Sequence, residues 1–268
     1  MRRLIVLAVT VLVVVVTHGA ASGAAPASRG AGVRPVTARG EAPDSRASFV
    51  LWALSHGPYA NYTPSEWYSD LVDMLEVNDI ISYEAIYDLN YILLDSYDVI
   101  VIGTLLAWDS AFTSAELTAI QDFVDGGGGL LIMGDNSACP NQHINIISEA
   151  YGVTCVLTGS DIDGHITDFA DIDLFAGVTS LELFSAPGLA SVGSPSMEVA
   201  WASGGEPVVA LAGGCSVIAV SDGNLWENAY LAEGDNETFA LNVFDCLCSA
   251  STGTPDRSTW GLIKALYR

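Results

Sequence analysis

Between residues 47 and 256 the chain has no lysine and no arginine. Of 268 residues nine are basic, all of them before or after that stretch, against 32 aspartates and glutamates. The absence argues against several functions. No cationic groove can follow a phosphate backbone, so nucleic acid is a poor partner. No P-loop lysine or arginine clamp can hold a nucleotide. No lysine can form a Schiff base. Inside the domain only histidine offers a side-chain cation. Carboxylates there must be solvated, capped by backbone N–H groups, or paired with metal ions.

Cysteine is scarce as well, with five residues: Cys139, Cys155, Cys215, Cys246 and Cys248. Cys139 and Cys155 flank a helix-like stretch and could close a short loop. Cys215 could meet Cys246 or Cys248. The Cys-x-Cys spacing lacks the second ligand pair of a zinc site. Long apolar runs are also rare. One, residues 4–16, follows Arg2 and Arg3 and precedes small residues, the pattern of a secretory signal peptide. It is short for a membrane span, which needs about 20 residues. The expected organisation is a signal peptide (1–24), a flexible leader (25–46), an α/β domain (47–249), and a linker with a short basic tail (250–268). The mature chain is expected to be secreted, extracellular or periplasmic, with no membrane span and with disulfides permitted.

What is present is an alternation of strand-like and helix-like segments. Residues 48–56, 97–103 and 129–134 read as buried strands. Thr63, Pro64 and Glu66 make a Thr-x-x-Glu box that predicts a helix carrying Trp67, Leu71, Met74 and Leu75 on one face. Residues 113–127 predict a second helix, capped by Thr113 or Ser114 and ending in glycine. "NQHINIISEAYG" predicts a third, followed by a short strand. Residues 160–189 look like an insertion or long loop. "PVVALAGGCSVIAVSDG" reads as a hairpin, and "NETFALNVFDCLC" as a closing helix. The fold class is therefore α/β, three-layered, with a mostly parallel sheet and helices on both faces, amidotransferase-like or flavodoxin-like.

Four stretches carry a family resemblance. They are "LWALSHGPYANYTPSEWYSDLVDML", "SYDVIVIGTLLAWDSAFTSAELTAIQDFVDGGGGLLIMGDN", "GHITDFADIDLFAGVTSLELFSAPGLASV" and "VIAVSDGNLWENAYLAEGDNETFALNVFDCL". Together they resemble the class I glutamine amidotransferase-like superfold. They look closest to its non-enzymatic branch of DUF4350-type, gliding-motility and intraflagellar-transport-related domains. The resemblance implies a Gly-x-Cys-x-Gly elbow after "GLLIMG" and a His-x-Glu pair after the last strand. Asp135 stands at the elbow instead, with Cys139 four residues on, and Ser221, Asp222 and Gly223 replace the base. No glutaminase is expected.

Candidate site residues are those following strands expected to share one sheet edge, where open α/β sheets bind ligands. His56, Asp135, Asn136, Asp222 and Asn224 are the polar ones. Trp108 and Trp226 are the candidate stacking residues. Asp161, Asp163 and Asp168 are candidate calcium ligands, although "DIDGHITDFADID" lacks the third ligand, glycine and glutamate of an EF-hand. Calcium is the one cofactor considered. His143 is expected near the surface of its helix. The expected function is a secreted, non-catalytic module binding a protein or glycan partner. One alternative is a hydrolase of carbohydrate or cell-wall material using Asp135 and Asp222. The other is a structural surface protein held by its tail.

Overall fold

The computed structural model describes residues 47–58, 61–103, 112–155 and 161–251. The expected signal peptide, leader, basic tail and Trp108 lie outside them. Strands β1 (Ser48–Ala53), β2 (Ile80–Ala85), β3 (Val99–Ile102) and β4 (Gly129–Met133) are parallel neighbours. Helix α1 (Ser69–Val77) follows β1, α2 (Ser114–Asp125) follows β3, and α3 (Gln142–Ser148) follows β4. Then come β5 (Val153–Cys155), β6 (Ile162–Ile166), β7 (Asp168–Phe169), β8 (Leu181–Ala186) and β9 (Leu189–Val192). Strands β10 (Ser196–Trp201), β11 (Pro207–Ala212) and β12 (Val217–Val220) precede the closing helix α4 (Asn236–Ser251). The main sheet has eight strands in the order β2-β1-β3-β4-β12-β11-β10-β7. It is parallel from β2 through β12 and antiparallel beyond.

Alternate residues on the central strands enter opposite cores, as a pleated strand requires. Val50, Trp52, Val99, Val101, Leu131 and Met133 pack with Leu71 and Leu75 of α1 and Phe239, Val243 and Phe244 of α4. Leu51, Ile100, Ile102, Leu130 and Ile132 pack with Ile120 and Phe123 of α2 and Ile144 and Ile147 of α3. Three layers result, with helices on both faces, as the sequence predicts.

The glycine run after α2 has two physical reasons. Gly127 takes φ +103°, turning the chain out of the helix where a side chain would be strained. A Cβ on Gly129 would lie 2.8 Å from the Leu247 carbonyl oxygen, so α4 can cross here only over glycine.

Three local expectations need correction. Helix α1 begins at Ser69, and Thr63 does not cap it. The Asp70 N–H instead donates to the Asn228 side chain, whose amide donates to the Glu66 carbonyl and Ser69 Oγ. The helix start is thus fixed from across the fold. Residues 161–189 are not a long loop, because β6 and β8 form an antiparallel pair and β7 joins the main sheet. Their burial is one-sided and interrupted by Asp and Gly, which hides the period. Finally, Cys139 and Cys155 are both buried and unbonded. Cys155 faces the apolar core of α2 and α3, while the Cys139 thiol faces Asn136.

Of the two partners open to Cys215, the structure selects Cys246, tying the β11–β12 turn to α4 with Cα atoms 5.5 Å apart. The bond closes a loop with a sequence separation of 31. Cys215→Ser is expected to lower unfolding free energy by about 3–4 kcal/mol. Denaturant titration would show this as a lower midpoint, and reductant should reproduce the loss in the unmodified chain.

Candidate functional site

The turns after β4 and β12 lie side by side at the carboxyl edge of the sheet. The Gly134 N–H donates to the Val220 carbonyl at 2.8 Å, and the Gly223 N–H to the Gly134 carbonyl at 2.8 Å. This stapling brings Asp135 and Asp222 into one electrostatic neighbourhood, as the sequence suggested. Both side chains point inward and are buried. Asp222 accepts the Phe184 N–H at 2.7 Å on one oxygen and the Asn224 N–H at 2.8 Å on the other. Asp135 accepts the Asn136 N–H at 2.6 Å.

Three residues that sequence reasoning missed, Tyr62, Tyr68 and Glu227, complete the cluster. The Tyr62 hydroxyl donates to Asn224 Oδ1 at 2.7 Å and also meets the carboxyls of Asp135 and Glu227. Tyr68, fully buried, stacks on Trp52 with ring centroids 5.3 Å apart. No short motif marks Tyr62 or Glu227, since tertiary contact alone brings them there.

With no lysine or arginine among the described residues, these groups move toward their neutral forms. Burial pushes Asp222 up to about 8; the Phe184 and Asn224 N–H groups oppose this and the Asp135 and Glu227 charges add to it. Burial raises Asp135 and Glu227 as well. Burial and the adjacent carboxylates keep the Tyr62 phenol protonated. Burial also raises the thiols of Cys139 and Cys155 to about 12, so neither offers the thiolate that acyl transfer needs. The arrangement is a self-satisfied network of carboxylic acids, phenols and amides.

The other predicted residues separate. Asn136 is half-buried in the β4 turn and its amide donates to Asp135. Trp226 is fully buried against Phe239 and Phe244, so it is core and cannot stack on a ligand. His143 is buried, where a surface or partly buried side chain was expected. Asp161, just before β6, accepts the Ser137 N–H, Asp163 on β6 accepts the Ser185 N–H, and Asp168 sits on β7. Among the described residues these three do not gather as metal ligands.

His56 lies apart from the carboxyl cluster. Its Nε2 is 2.8 Å from Glu116 Oε1, and Glu116 is fully buried at the start of α2. Thr113 and Glu116 make a reciprocal capping box there. The Thr-x-x-Glu spacing at 113–116 was the signal for Glu116. Burial works against the charge of Glu116; the Thr113 N–H, His56 and the Thr113 hydroxyl outweigh it and hold the carboxyl below its ordinary value.

A family model described as a domain of unknown function, DUF4350, matches residues 68–244. The chain belongs to the DUF4350 family. Among solved structures, this DUF4350 domain is similar to the mmIFT52 N-terminal domain, with TM-score 0.62 and 16% identity over 74% of this chain and 97% of that one. A cytoplasmic protein from Salmonella typhimurium matches with TM-score 0.52 and 12% identity over 75% of this chain and 98% of that one. A ThuA-like protein from Bacteroides uniformis matches with TM-score 0.52 and 13% identity, covering 78% and 94%. At such identities the likeness establishes the fold alone. No curated protein matches the chain.

Proposed function

We propose that this DUF4350 domain is a secreted, non-catalytic interaction module that docks an extended, lysine- or arginine-bearing protein segment along β2. The observation carrying this reading is the exposed apolar surface on and after that strand. Ile86, Tyr87, Tyr91 and Leu93 are 67%, 69%, 79% and 72% exposed, and Tyr83 is 45% exposed on the strand itself. Clusters of this kind mark interaction sites more often than they occur by chance.

Strand β2 is also an outer strand of the main sheet, with β1 as its neighbour. Edge strands are commonly blunted with Lys or Pro. The sequence of β2, "IISYEA", has neither. An added strand could satisfy its outward backbone groups while the partner's side chains meet the tyrosines. Charge complementarity sets the partner's sign. The domain carries a large acidic excess with no lysine or arginine of its own, and Asp79, Glu84, Asp88 and Asp95 flank this strip. The Cys215–Cys246 bond supports the secreted assignment, because disulfides persist outside the reducing cytosol. The inward, backbone-bound carboxyls of Asp135 and Asp222 weigh against the hydrolase reading, since catalytic acids must reach the substrate.

Fluorescence anisotropy with labelled eight-residue peptides tests the proposal. Peptides alternating valine with lysine are expected to bind saturably, those with glutamate in place of lysine not at all. Tyr87→Ser/Tyr91→Ser should weaken binding at least about tenfold, the loss of an aromatic hot spot. Equal binding of both peptide sets, or a chain already dimeric through β2 by light scattering, would overturn it.

A further inference from the structure

We propose that His56, Asp88 and Glu116 form a binding site for one divalent transition-metal cation, with zinc as the best fit. The site stands independently of the docking reading. One ligand atom from each residue lies within 4.8 Å of the other two. Donors around a tetrahedral zinc with bonds near 2.1 Å stand about 3.4 Å apart, so small side-chain movements close the set on an ion. The three come from different places. His56 is in the turn after β1, Asp88 precedes the short 3₁₀ turn Leu89–Tyr91, and Glu116 is in the first turn of α2.

Electrostatics gives the second reason. Glu116 is fully buried and Asp88 half-buried. Asp88 stands at the cap of its 3₁₀ turn yet makes no side-chain cap hydrogen bond. Several other carboxylates in the domain accept backbone N–H groups, as Asp98, Asp163 and Asp235 do. Asp88 does not, and it faces a second carboxylate. No lysine or arginine occurs in residues 47–256 to balance the pair. Two carboxylates and a neutral imidazole carry two negative charges, which one divalent cation cancels.

The surroundings have the features of a ligand-orienting shell. Glu116 is fixed by the Thr113 N–H and hydroxyl at 2.9 Å each and by the Leu89 N–H at 3.3 Å. Phe112 packs against the imidazole with ring centroids 4.6 Å apart, giving that side an apolar wall. One nitrogen and two oxygens suit zinc. Calcium, which takes six to eight oxygens, is a poor match.

The test is titration of the EDTA-stripped full chain with zinc chloride by calorimetry, with cobalt(II) absorption as a spectroscopic reporter of an imidazole-containing shell. One equivalent is expected to bind saturably at micromolar or lower concentration. Asp88→Asn should weaken it at least about tenfold. Asp88 is a partly exposed side chain that makes no side-chain cap hydrogen bond, so the metal-free melting temperature of that variant should not fall. His56→Ala should weaken zinc binding further and abolish the cobalt band, while Asp161→Asn/Asp163→Asn should leave both unchanged. Should His56→Ala fail to fold, Asp88→Asn decides. Absence of saturable zinc uptake, zinc affinity unaltered by Asp88→Asn, or saturation by calcium but not zinc would each overturn the assignment.

Discussion

Replacing Asn236 with leucine is expected to cost the fold about 3–5 kcal/mol, because one buried amide holds four backbone groups. Its Oδ1 accepts the Glu182 N–H at 3.1 Å. Its Nδ2 donates to the carbonyls of Glu182, Leu225 and Tyr230 at 3.1, 3.0 and 3.1 Å. The side chain is completely buried at the first residue of α4, so water cannot substitute for it. Leucine has the same branching and number of side-chain heavy atoms but is bulkier and carries no polar atom, which leaves one N–H and three carbonyls without this partner and adds some overpacking. Total stability is typically about 5–15 kcal/mol, so the loss should be visible as a large fall in denaturation midpoint. Asn242→Ala is the control. Its amide serves only the Leu174 and Ala176 carbonyls from a half-buried position, and the cost should stay near about 1 kcal/mol. Equal midpoints for the two variants would show that the Asn236 network contributes nothing special.

The same residues show what can be read from a sequence. Thr-x-x-Glu occurs at 63–66 and again at 113–116. The second is a true capping box; the first lies in turns ahead of α1. The motif reports local preference, and at α1 a distant side chain, Asn228, sets the start instead. The sheet core was legible because apolar runs such as "VIVI" and "GLLIM" are buried on both faces. Residues 161–189 were not, because β6 is interrupted by Asp163, Gly164 and His165 and β8 leaves Phe184 exposed, so neither shows a clean apolar run.

The candidate sites were legible in half. Strand-end position pointed to Asp135, Asn136, Asp222, Asn224 and His56, of which the structure gathers the first four and leaves His56 apart on Glu116. It could not find Tyr62, Glu227 or Asp88, which arrive from separate loops. Nor could it tell that Trp226 would turn into the core or that the aspartates would face inward. Whether a strand-end carboxyl points out or in depends on which backbone N–H groups are nearby. For Asp222 that N–H belongs to Phe184, 38 positions away in the chain.

That inward turn makes stability depend on pH in a definite direction. The folded state raises the Asp222 carboxyl from its ordinary value near 3.8 to about 8, chiefly by burial. A group raised on folding favours the fold while it is protonated. Its contribution is complete below the unfolded value and is lost as pH rises through the folded one. Across pH 4 to 8 the shift corresponds to about 6 kcal/mol at most, since each unit is worth about 1.4 kcal/mol. Asp135 and Glu227 are raised too and act in the same sense. Ordinary carboxylates have already ionised by pH 6, so comparing the native chain with Asp222→Asn from pH 6 to 9 separates this buried acid from the histidines. The native melting temperature is expected to fall from pH 6 to about 8 and to level off above it. Asp222→Asn removes the titration but faces its NH₂ toward a backbone N–H that the second oxygen had accepted. The variant should therefore be less stable than the native chain at pH 6, with a flatter slope, and the two curves should converge or cross toward pH 9. Parallel curves would mean that Asp222 is ionised throughout this range, held charged by the Phe184 and Asn224 N–H groups against the cost of burial.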